Sequence, residues 1–339
     1  MSATIRDVAH KCGLSISTVS KALNNYSDVS EGTRRLVVET ARQVGYFPNA
    51  LARALKTNRS YNIGVLFADD FGSGLTHTFF SLVLDSLKTT SEDNGYDVTF
   101  INHKIGRSGM TYLEHCRYRN VDGVCLACVD FLNPEVDELM ESDLPTVTID
   151  YAFPGRACVM SDNLRGMRDL VTYVHGMGHE RIAYIHGQRG QVTENRVNGF
   201  YRAMRECNLP VNSDWVLASE YQNGERCAEA TRRLLSGADR PTCILMPDDF
   251  AAIGGLNAVR AAGLRVPEDV SVVGYDGYPV MQMLSPRITT LRQDARRIGA
   301  EAAKALVDWM GRPRQEINRT IVVPGKLIEG ETVLNLNAR

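Results

Sequence analysis

From Tyr61 onwards, short apolar segments alternate with amphipathic helical segments, and this alternation restricts the fold more than any other feature of the 339-residue sequence. Strands that alternate with helices pair in parallel, because each helix returns the chain to the edge where the next strand starts. Two successive groups of four strand-like segments predict two doubly wound parallel sheets, and therefore two lobes. The segments start near Ile63, Val98, Val121 and Thr146, and then near Ile182, Trp215, Cys243 and Val270.

Amphipathic helical segments separate these strands. In parallel sheets of this kind, ligands bind at the carboxyl ends of the strands, so we expect a ligand in the cleft between the lobes. The first lobe is predicted to span about 61–160 plus 292–320, and the second about 161–291 plus 321–339. The helical segments are Phe79 to Asn94, Asn163 to Gly176, Thr193 to Asn208, Gly224 to Leu235 and Asp249 to Ala262.

The first 47 residues have a different, all-α pattern. Thr4 followed by Asp7 resembles a capping pair for a first helix, Ser15 can cap a second helix over Ile16–Leu23, and a third is predicted from Ser30 to Gly45. Three short helices with one small core are typical of a helix-turn-helix domain.

Charge supports a separate function for this head. Residues 1–60 contain nine Lys and Arg against four Asp and Glu, whereas residues 61–339 contain 29 against 36. A basic head on a mildly acidic body is typical of a polyanion-binding module joined to a domain that does not touch the polyanion.

A linker at 48–60 joins the two parts. Pro48 and Asn49 end the bundle, and Asn49 can cap one further helical segment at 50–56. Isolated helices shorter than about a dozen residues are marginal in water, so this segment is not expected to be stable alone.

The eight cysteines show no disulfide framework. Cys125 and Cys128 have a spacing that can hold zinc or do redox work, but they lie in an apolar run typical of a buried strand, and no second pair completes a site. There is no apolar run near the roughly 18 residues that a membrane span needs, and no signal segment at Met1. We therefore expect a cytoplasmic protein without a membrane partner.

Ordered motifs along the whole chain resemble the lactose-repressor (LacI/GalR) family. The resemblance implies a body similar to periplasmic sugar-binding proteins, and a homodimer that binds a pseudo-palindromic DNA operator. One departure is Glu329-Gly330, where the family usually has an Arg. The motifs are Thr4-Ile-Arg-Asp-Val-Ala, Gly13-Leu-Ser-Ile-Ser-Thr-Val-Ser-Lys-Ala-Leu-Asn24, Val29-Ser, Gly45-Tyr-Phe-Pro-Asn-Ala-Leu-Ala-Arg-Ala-Leu-Lys56, Asp150, Ser161-Asp162-Asn163, Arg196-Val-Asn-Gly-Phe200, Asp248-Asp249-Phe-Ala-Ala-Ile-Gly, Val266-Pro-Glu-Asp-Val-Ser-Val-Val-Gly-Tyr-Asp276 and Thr289-Thr-Leu.

The helix-turn-helix places the second helix in the major groove, so Ile16, Ser17 and Lys21 are the expected base contacts there. By resemblance, the linker is a hinge helix that inserts Leu55 into the minor groove, with Ala52 allowing close approach and Lys56 beside it. The alternative is that Leu55 packs on the body. Other positions match the family's phosphate contacts, although each hydroxyl can equally cap a helix or face solvent. These positions are Thr4, Ser15, Thr18, Ser20, Asn24, Ser30, Thr33, Tyr46 and Asn49.

The resemblance also implies a set of effector-binding residues, for which Tyr221 is a further stacking candidate. Three carboxylates against one Arg favour a neutral sugar, with a purine or a phosphosugar as alternatives. For Asp249, helix capping is an equal alternative, and for Asp162 the favoured one. The residues carried over by position are Phe79, Phe80, Asp150, Arg196, Asp249 and Asp276.

Other classes of function fit less well. Gly72-Ser-Gly74 lacks the third glycine of a dinucleotide-binding loop, and the sequence has no P-loop and no Gly-x-Ser-x-Gly motif. A plain sugar-binding protein would carry a secretion signal and no DNA-binding head. The sequence therefore predicts a repressor, not an enzyme, with no cofactor. A protein corepressor remains an alternative to the small-molecule effector.

Overall fold

The computed structural model describes residues 3–47, 59–68, 74–105, 108–311 and 319–338. Contacts divide the chain into two compact units, Met1–Tyr61 and Asn62–Arg339. We refer to them as the head and the body.

The described part of the head contains three helices: α1 (Ile5–Cys12), α2 (Ile16–Leu23) and α3 (Glu31–Val44). Serine hydroxyls begin two of them, because Ser15 accepts a hydrogen bond from the Thr18 amide (3.0 Å) and Ser30 from the Thr33 amide (3.2 Å). Such caps satisfy amide groups that have no partner within the helix. The shared core consists of Val8, Ala9, Val19, Ala22, Val37 and Ala41.

The first lobe of the body contains a six-stranded parallel sheet in the order β13-β7-β6-β5-β1-β2. After β2, the chain forms a separate two-stranded antiparallel sheet from β3 (Lys104–Ile105) and β4 (Ser108–Gly109). The strands of the sheet are β1 (Asn62–Phe67), β2 (Asp97–Ile101), β5 (Gly123–Ala127), β6 (Thr146–Ile149), β7 (Ala157–Ser161) and β13 (Thr320–Val323).

The second lobe contains another six-stranded sheet, in the order β14-β12-β11-β10-β8-β9. All its pairings are parallel except that of β12 with β14. Its strands are β8 (Ile182–His186), β9 (Val216–Ala218), β10 (Cys243–Leu245), β11 (Ser271–Asp276), β12 (Thr289–Arg292) and β14 (Lys326–Ile328).

Helices cover both sheets, which confirms the predicted α/β body. Two glycine contacts bring helices close, since a Cβ on Gly299 would lie 2.1 Å from the Val83 carbonyl oxygen and one on Gly254 would lie 1.9 Å from that of Gly224. The helices are α4 (Thr78–Asp93), α5 (Tyr112–Tyr118), α6 (Pro134–Glu141), α7 (Asn163–Gly176), α8 (Gln191–Glu206), α9 (Gly224–Ser236), α10 (Asp249–Ala261) and α11 (Ala295–Gly311), with 3-10 turns at Gly74–Thr76, Ser213–Trp215, Pro279–Gln282 and Leu336–Ala338.

Among the described strands, the chain crosses between the lobes three times: after β7, after β12 and after β13. The sequence prediction places the last crossing at residue 320/321, whereas the structure places it after Val323. The reason is that Thr320–Val323 pairs with Cys158–Ser161 and forms an edge strand of the first sheet.

The two closely spaced cysteines lie at the end of β5. Cys125 is fully buried within the strand, and burial raises the pKa of its thiol above the ordinary range. Within the part of the chain that the structure describes, no cluster of three His, Cys, Asp or Glu side chains could hold a metal ion. None of the described helices is long and apolar enough to cross a membrane.

Candidate functional site

The first turn of α2 carries the predicted base-reading side chains on an exposed face of the head. Ile16 is 46% exposed, although it is a large aliphatic residue, and Ser17 is exposed beside it. Lys21 lies one turn further along and forms an ion pair of 2.5 Å with Asp28. This surface therefore combines an apolar side chain, a hydroxyl and a charged pair.

The residues predicted to contact phosphates differ in their hydrogen bonds and in their exposure. The hydroxyls of Ser15 and Ser30 serve as helix caps, and each also bonds a threonine hydroxyl, that of Thr18 (2.8 Å) or Thr33 (2.9 Å). The Thr4 hydroxyl donates to the Asp7 carboxylate. Of the rest, Ser20 is half-buried, Asn24 is exposed and donates to the Ser20 carbonyl, and Tyr46 packs partly on the head core. Four predicted contacts, Asn49, Ala52, Leu55 and Lys56, lie outside the described residues.

In the body, the Arg196 guanidinium on α8 is the centre of a buried polar group. It is only 4% exposed, and it donates from Nε to Oδ1 of Asn163 (2.8 Å) and from Nη1 to the Pro247 carbonyl (2.9 Å). Its carbon lies 3.6 Å from the centre of the Tyr275 ring and 5.6 Å from that of Tyr221. Its Nη2 has no hydrogen-bond partner among the described residues.

Two predicted carboxylates face this guanidinium from opposite lobes. Asp150 follows β6, and Asp276 ends β11. Both have left-handed backbone conformations, with φ of 60° and 104°, and such strained residues concentrate at functional sites. Oδ1 of Asp150 accepts from the Ser161 amide (3.1 Å), and Oδ1 of Asp276 accepts from Nε2 of Gln293 (2.6 Å).

Burial changes the acidity of both carboxyls. It raises the pKa of Asp150 to about 6, against the stabilising effect of the Ser161 amide and the Arg196 charge. It raises the pKa of Asp276 to about 7, where Arg196 opposes the shift and the neighbouring Asp248 adds to it. Carboxyls with pKa values near neutrality can accept or donate hydrogen bonds to a ligand.

The Asp249 carboxylate is held by hydrogen bonds within the second lobe. The side chain is fully buried, with Oδ1 accepting from the Thr290 hydroxyl (2.6 Å) and Oδ2 from the Tyr278 amide (2.8 Å). The helix begins at Asp249, as predicted, and the residue before it, Asp248, is the N-cap and accepts from the Ala251 amide. Asp249 is therefore the first helical residue, and its side chain points into the second lobe. Asp162 caps α7, as favoured from the sequence.

The aromatic residues predicted to contact the effector differ in burial. Phe79 is 6% exposed and belongs to the core under α4, whereas Phe80 is half-buried and meets the rings of His77 (4.9 Å) and Phe67 (5.6 Å) edge-on. Tyr221 is half-buried, and its hydroxyl bonds that of Thr193 (2.8 Å).

Three site residues were not predicted: Asn163, Tyr275 and Gln293. Gln293 bonds the Ser161 hydroxyl of the first lobe as well as Asp276 of the second. Their positions next to the ends of β7, β11 and β12 are the signal that could have identified them, since ligand-binding groups cluster at the carboxyl ends of parallel strands.

Side chains also join the lobes around the rim of the cleft. Nε2 of Gln222 lies 2.8 Å from Nε2 of His77, and Oε1 of Gln191 accepts from the Ala152 amide (2.8 Å). The cleft that holds Arg196 is therefore bordered by contacts between the lobes.

Comparison with known proteins agrees with this two-part organisation. Residues 4–49 match the family model described as bacterial regulatory proteins, lacI family, and residues 171–333 match a periplasmic binding protein-like domain.

Relatives extend over nearly the whole chain. The HTH-type transcriptional repressor PurR of Vibrio vulnificus (strain CMCP6) is 31% identical over 99% of this chain and 100% of its own length. PurR of Vibrio cholerae serotype O1 (strain M66-2) is 32% identical over 98% and 99%.

Solved structures show the same fold. The transcriptional regulator CelR in complex with cellobiose is 26% identical, with a TM-score of 0.70 over 97% of this chain and 99% of that one. The lac repressor dimer bound to operator and the anti-inducer ONPF is 24% identical, with a TM-score of 0.80 over 98% and 100%. Since its full-length relatives are repressors and not enzymes, the chain belongs to the LacI family of DNA-binding transcriptional repressors.

Proposed function

We propose that a homodimer of this chain binds a pseudo-palindromic operator through its two heads, and that a neutral carbohydrate in the cleft of the body controls the operator affinity. The observation that carries the effector class is the buried arrangement of Arg196 between Asp150 and Asp276.

Hydrogen-bonding capacity in the cleft favours hydroxyl groups. Nη2 of Arg196 is a donor without a partner among the described residues, and the carboxylates of Asp150 and Asp276 can accept hydrogen bonds beyond those from Ser161 and Gln293. A sugar hydroxyl can accept from the guanidinium and donate to a carboxylate at the same time, so adjacent hydroxyls match this alternation of donor and acceptors. An anionic ligand would instead meet the carboxylates unfavourably.

Aromatic rings supply the apolar contact that sugar rings also need. Phe80 of the first lobe and Tyr221 of the second are both half-buried. The cellobiose in the structure of CelR supports the same class of effector.

A purine is the second candidate. The observation that favours it is the 31% identity to a repressor named PurR over 99% of this chain. A flat base with donors and acceptors at its edge can also stack on Tyr221 and bond the carboxyls.

The dimer is supported by exposed apolar side chains on one part of the second lobe. Phe250, Val280 and Met283 are 36%, 48% and 80% exposed. The Phe250 ring lies 5.4 Å from that of Tyr278, which directly precedes the 3-10 turn that contains Val280, so these residues are close neighbours. Large apolar patches on monomers are uncommon and mark interaction surfaces.

A thermal-shift experiment on the full-length protein tests the effector class with D-ribose, cellobiose, hypoxanthine and guanine. Saturation at 100 Kd stabilises the folded state by about 2.7 kcal/mol, so a true effector raises Tm measurably. We expect a sugar to do so and to change binding to an operator selected from a randomised duplex library. A shift with a purine and with neither sugar would overturn the carbohydrate assignment.

A substitution in the cleft tests whether the thermal shift arises from binding there. Asp276→Asn keeps the shape and the contact with Gln293 but removes the charge, and we expect it to abolish the sugar-induced shift. An unchanged shift would place the effector elsewhere.

A further inference from the structure

The base-reading surface of the head carries an acidic side chain, Asp28, although this surface is expected to meet a polyanion. Its Oδ2 lies 2.5 Å from Nζ of Lys21, and the two side chains are 54% and 43% exposed. The Lys21 ammonium holds the pKa of Asp28 below its ordinary value, so the carboxylate stays charged. A free carboxylate here would repel phosphates, and the pair therefore needs an explanation.

The loop that carries Asp28 is held from both sides. Nη2 of Arg34 donates to the carbonyls of Tyr26 (3.0 Å) and Val29 (3.4 Å), and the Tyr26 amide donates to the Lys21 carbonyl (3.1 Å). Val29 also packs against the head core. Because both neighbouring segments are anchored, the position of Asp28 relative to α2 is set by the fold of the head.

The remaining hydrogen-bonding groups of the pair form a defined pattern. Lys21 has three N–H groups and uses one for Asp28, which leaves two donors, while the Asp28 carboxylate keeps acceptor sites besides the one that Lys21 uses. In the major groove, a G·C pair presents two acceptors, N7 and O6 of guanine, followed by one donor, N4 of cytosine. Two donors beside one acceptor complement that edge, whereas an A·T pair presents acceptor, donor and acceptor.

We propose that Lys21 and Asp28 together read one G·C base pair in each operator half-site, and that Asp28 is a specificity-determining residue. The inference rests on the proposed docking of α2 in the major groove. Lys21 donates to N7 and O6 of guanine, and Asp28 accepts from N4 of the paired cytosine. At any other base pair the carboxylate faces an acceptor or a methyl group. Asp28 therefore lowers the affinity for incorrect sequences more than it raises the affinity for the correct one.

Selection from a randomised duplex DNA library with the full-length protein tests this inference. The variants are Asp28→Asn, which makes the carboxylate neutral without changing its size, and Glu39→Gln as a matched control. Glu39 is an exposed residue of α3, so both variants change the net charge equally. Binding of a fixed unrelated duplex measures the gain in non-specific affinity that the charge change produces.

We expect the wild type to enrich a G·C pair at one position of each half-site. A good bidentate base contact discriminates by roughly 5-fold to 100-fold, and Asp28→Asn should lose at least about fivefold of the preference at that position only. Glu39→Gln should keep the full preference and show the same non-specific gain.

The selection distinguishes a failure of the proposed operator binding from a failure of the role proposed for Asp28. If the wild type enriches no sequence, the proposed operator binding fails. If it enriches a site and Asp28→Asn enriches the same site with equal preference at every position, operator binding stands and the role of Asp28 is refuted.

Discussion

At the scale of single residues, Arg196 is the side chain on which the effector cleft depends. Its guanidinium is buried and donates hydrogen bonds to two protein oxygens. Its positive charge lowers the pKa of the Asp150 and Asp276 carboxyls, whereas burial raises it. Removing one partner of a buried charged group is far more costly than removing an exposed one.

Arg196→Ala should therefore destabilise the body by roughly 3–5 kcal/mol, since it removes the donor of the Pro247 carbonyl and leaves Oδ1 of Asn163 only the longer bond from the Tyr275 hydroxyl (3.3 Å). Arg202→Ala on the same helix is the control, because Arg202 is exposed and water screens its ion pair with Glu206. Chemical denaturation of the full-length protein measures both. Equal losses for the two variants would contradict the central role of Arg196.

The raised pKa values of Asp150 and Asp276 predict a particular dependence of stability on pH. Both carboxyls have folded-state pKa values, about 6 and about 7, above the ordinary 3.8. Between about pH 4 and pH 7 the folded state therefore binds more protons than the unfolded state, and their contribution to stability falls as the pH rises.

Asp276→Asn should remove part of that fall, by up to about 1.4 kcal/mol per pH unit. The measurement is the difference in free energy of unfolding between wild type and Asp276→Asn at pH 5 and at pH 7.5. We expect the variant to gain relative to the wild type at the higher pH. A constant difference would show that Asp276 titrates normally.

At the scale of elements, strand and helix positions in the body follow closely from the sequence because apolar runs and amphipathic periods are strong signals. The predicted starts at Ile63, Thr146, Ile182 and Cys243 lie within one residue of the observed strands. Edge strands such as β13 and β14 were not predicted, because they are short and only partly buried.

The site was less predictable than the fold. Arg196 and the carboxylates of Asp150 and Asp276 come together, whereas both oxygens of Asp249 accept hydrogen bonds from Thr290 and Tyr278. Two consecutive aspartates can each cap a helix, and only the position of the first turn decides which one does. Asn163 and Gln293 depend on which strand ends meet across the cleft, and a single sequence does not show that.

The close packing of α11 on α4 at Gly299 predicts the effect of a substitution on stability. A Cβ at this position of α11 would meet the backbone of α4, so Gly299→Ala should destabilise the first lobe by about 1–3 kcal/mol. Gly176→Ala in the last turn of α7 is the control, since its Cβ would meet nothing within 4 Å. Thermal denaturation of the full-length variants distinguishes the two, and an unchanged Tm for Gly299→Ala would contradict the packing.

At the scale of the whole molecule, dimer formation is the first property to test. Met283→Asp places a charge in the exposed apolar patch of the second lobe, and we expect it to shift the protein from dimer to monomer in sedimentation equilibrium. Val211→Asp is the control, because Val211 is also exposed, at 38%, but lies in the loop that follows α8. A dimeric Met283→Asp protein would exclude this patch as the interface.

Communication between body and head is the second property. Leu55 lies in the linker outside the described residues, and the hinge hypothesis predicts that Leu55→Ala abolishes tight operator binding in a gel shift. Effector-induced thermal shifts should be unchanged, because they report on the body. Wild-type operator affinity would refute the hinge assignment.

The three crossings between the lobes have a consequence for synthesis on the ribosome. The first sheet receives its edge strand β13 only after the entire second sheet up to β12 has been made, and the second sheet receives β14 later still. Neither lobe is a continuous stretch of polypeptide, so a nascent chain holds two unfinished sheets until its last few dozen residues emerge. Premature termination anywhere in the body should therefore yield a substrate for proteases and not a half-functional sensor.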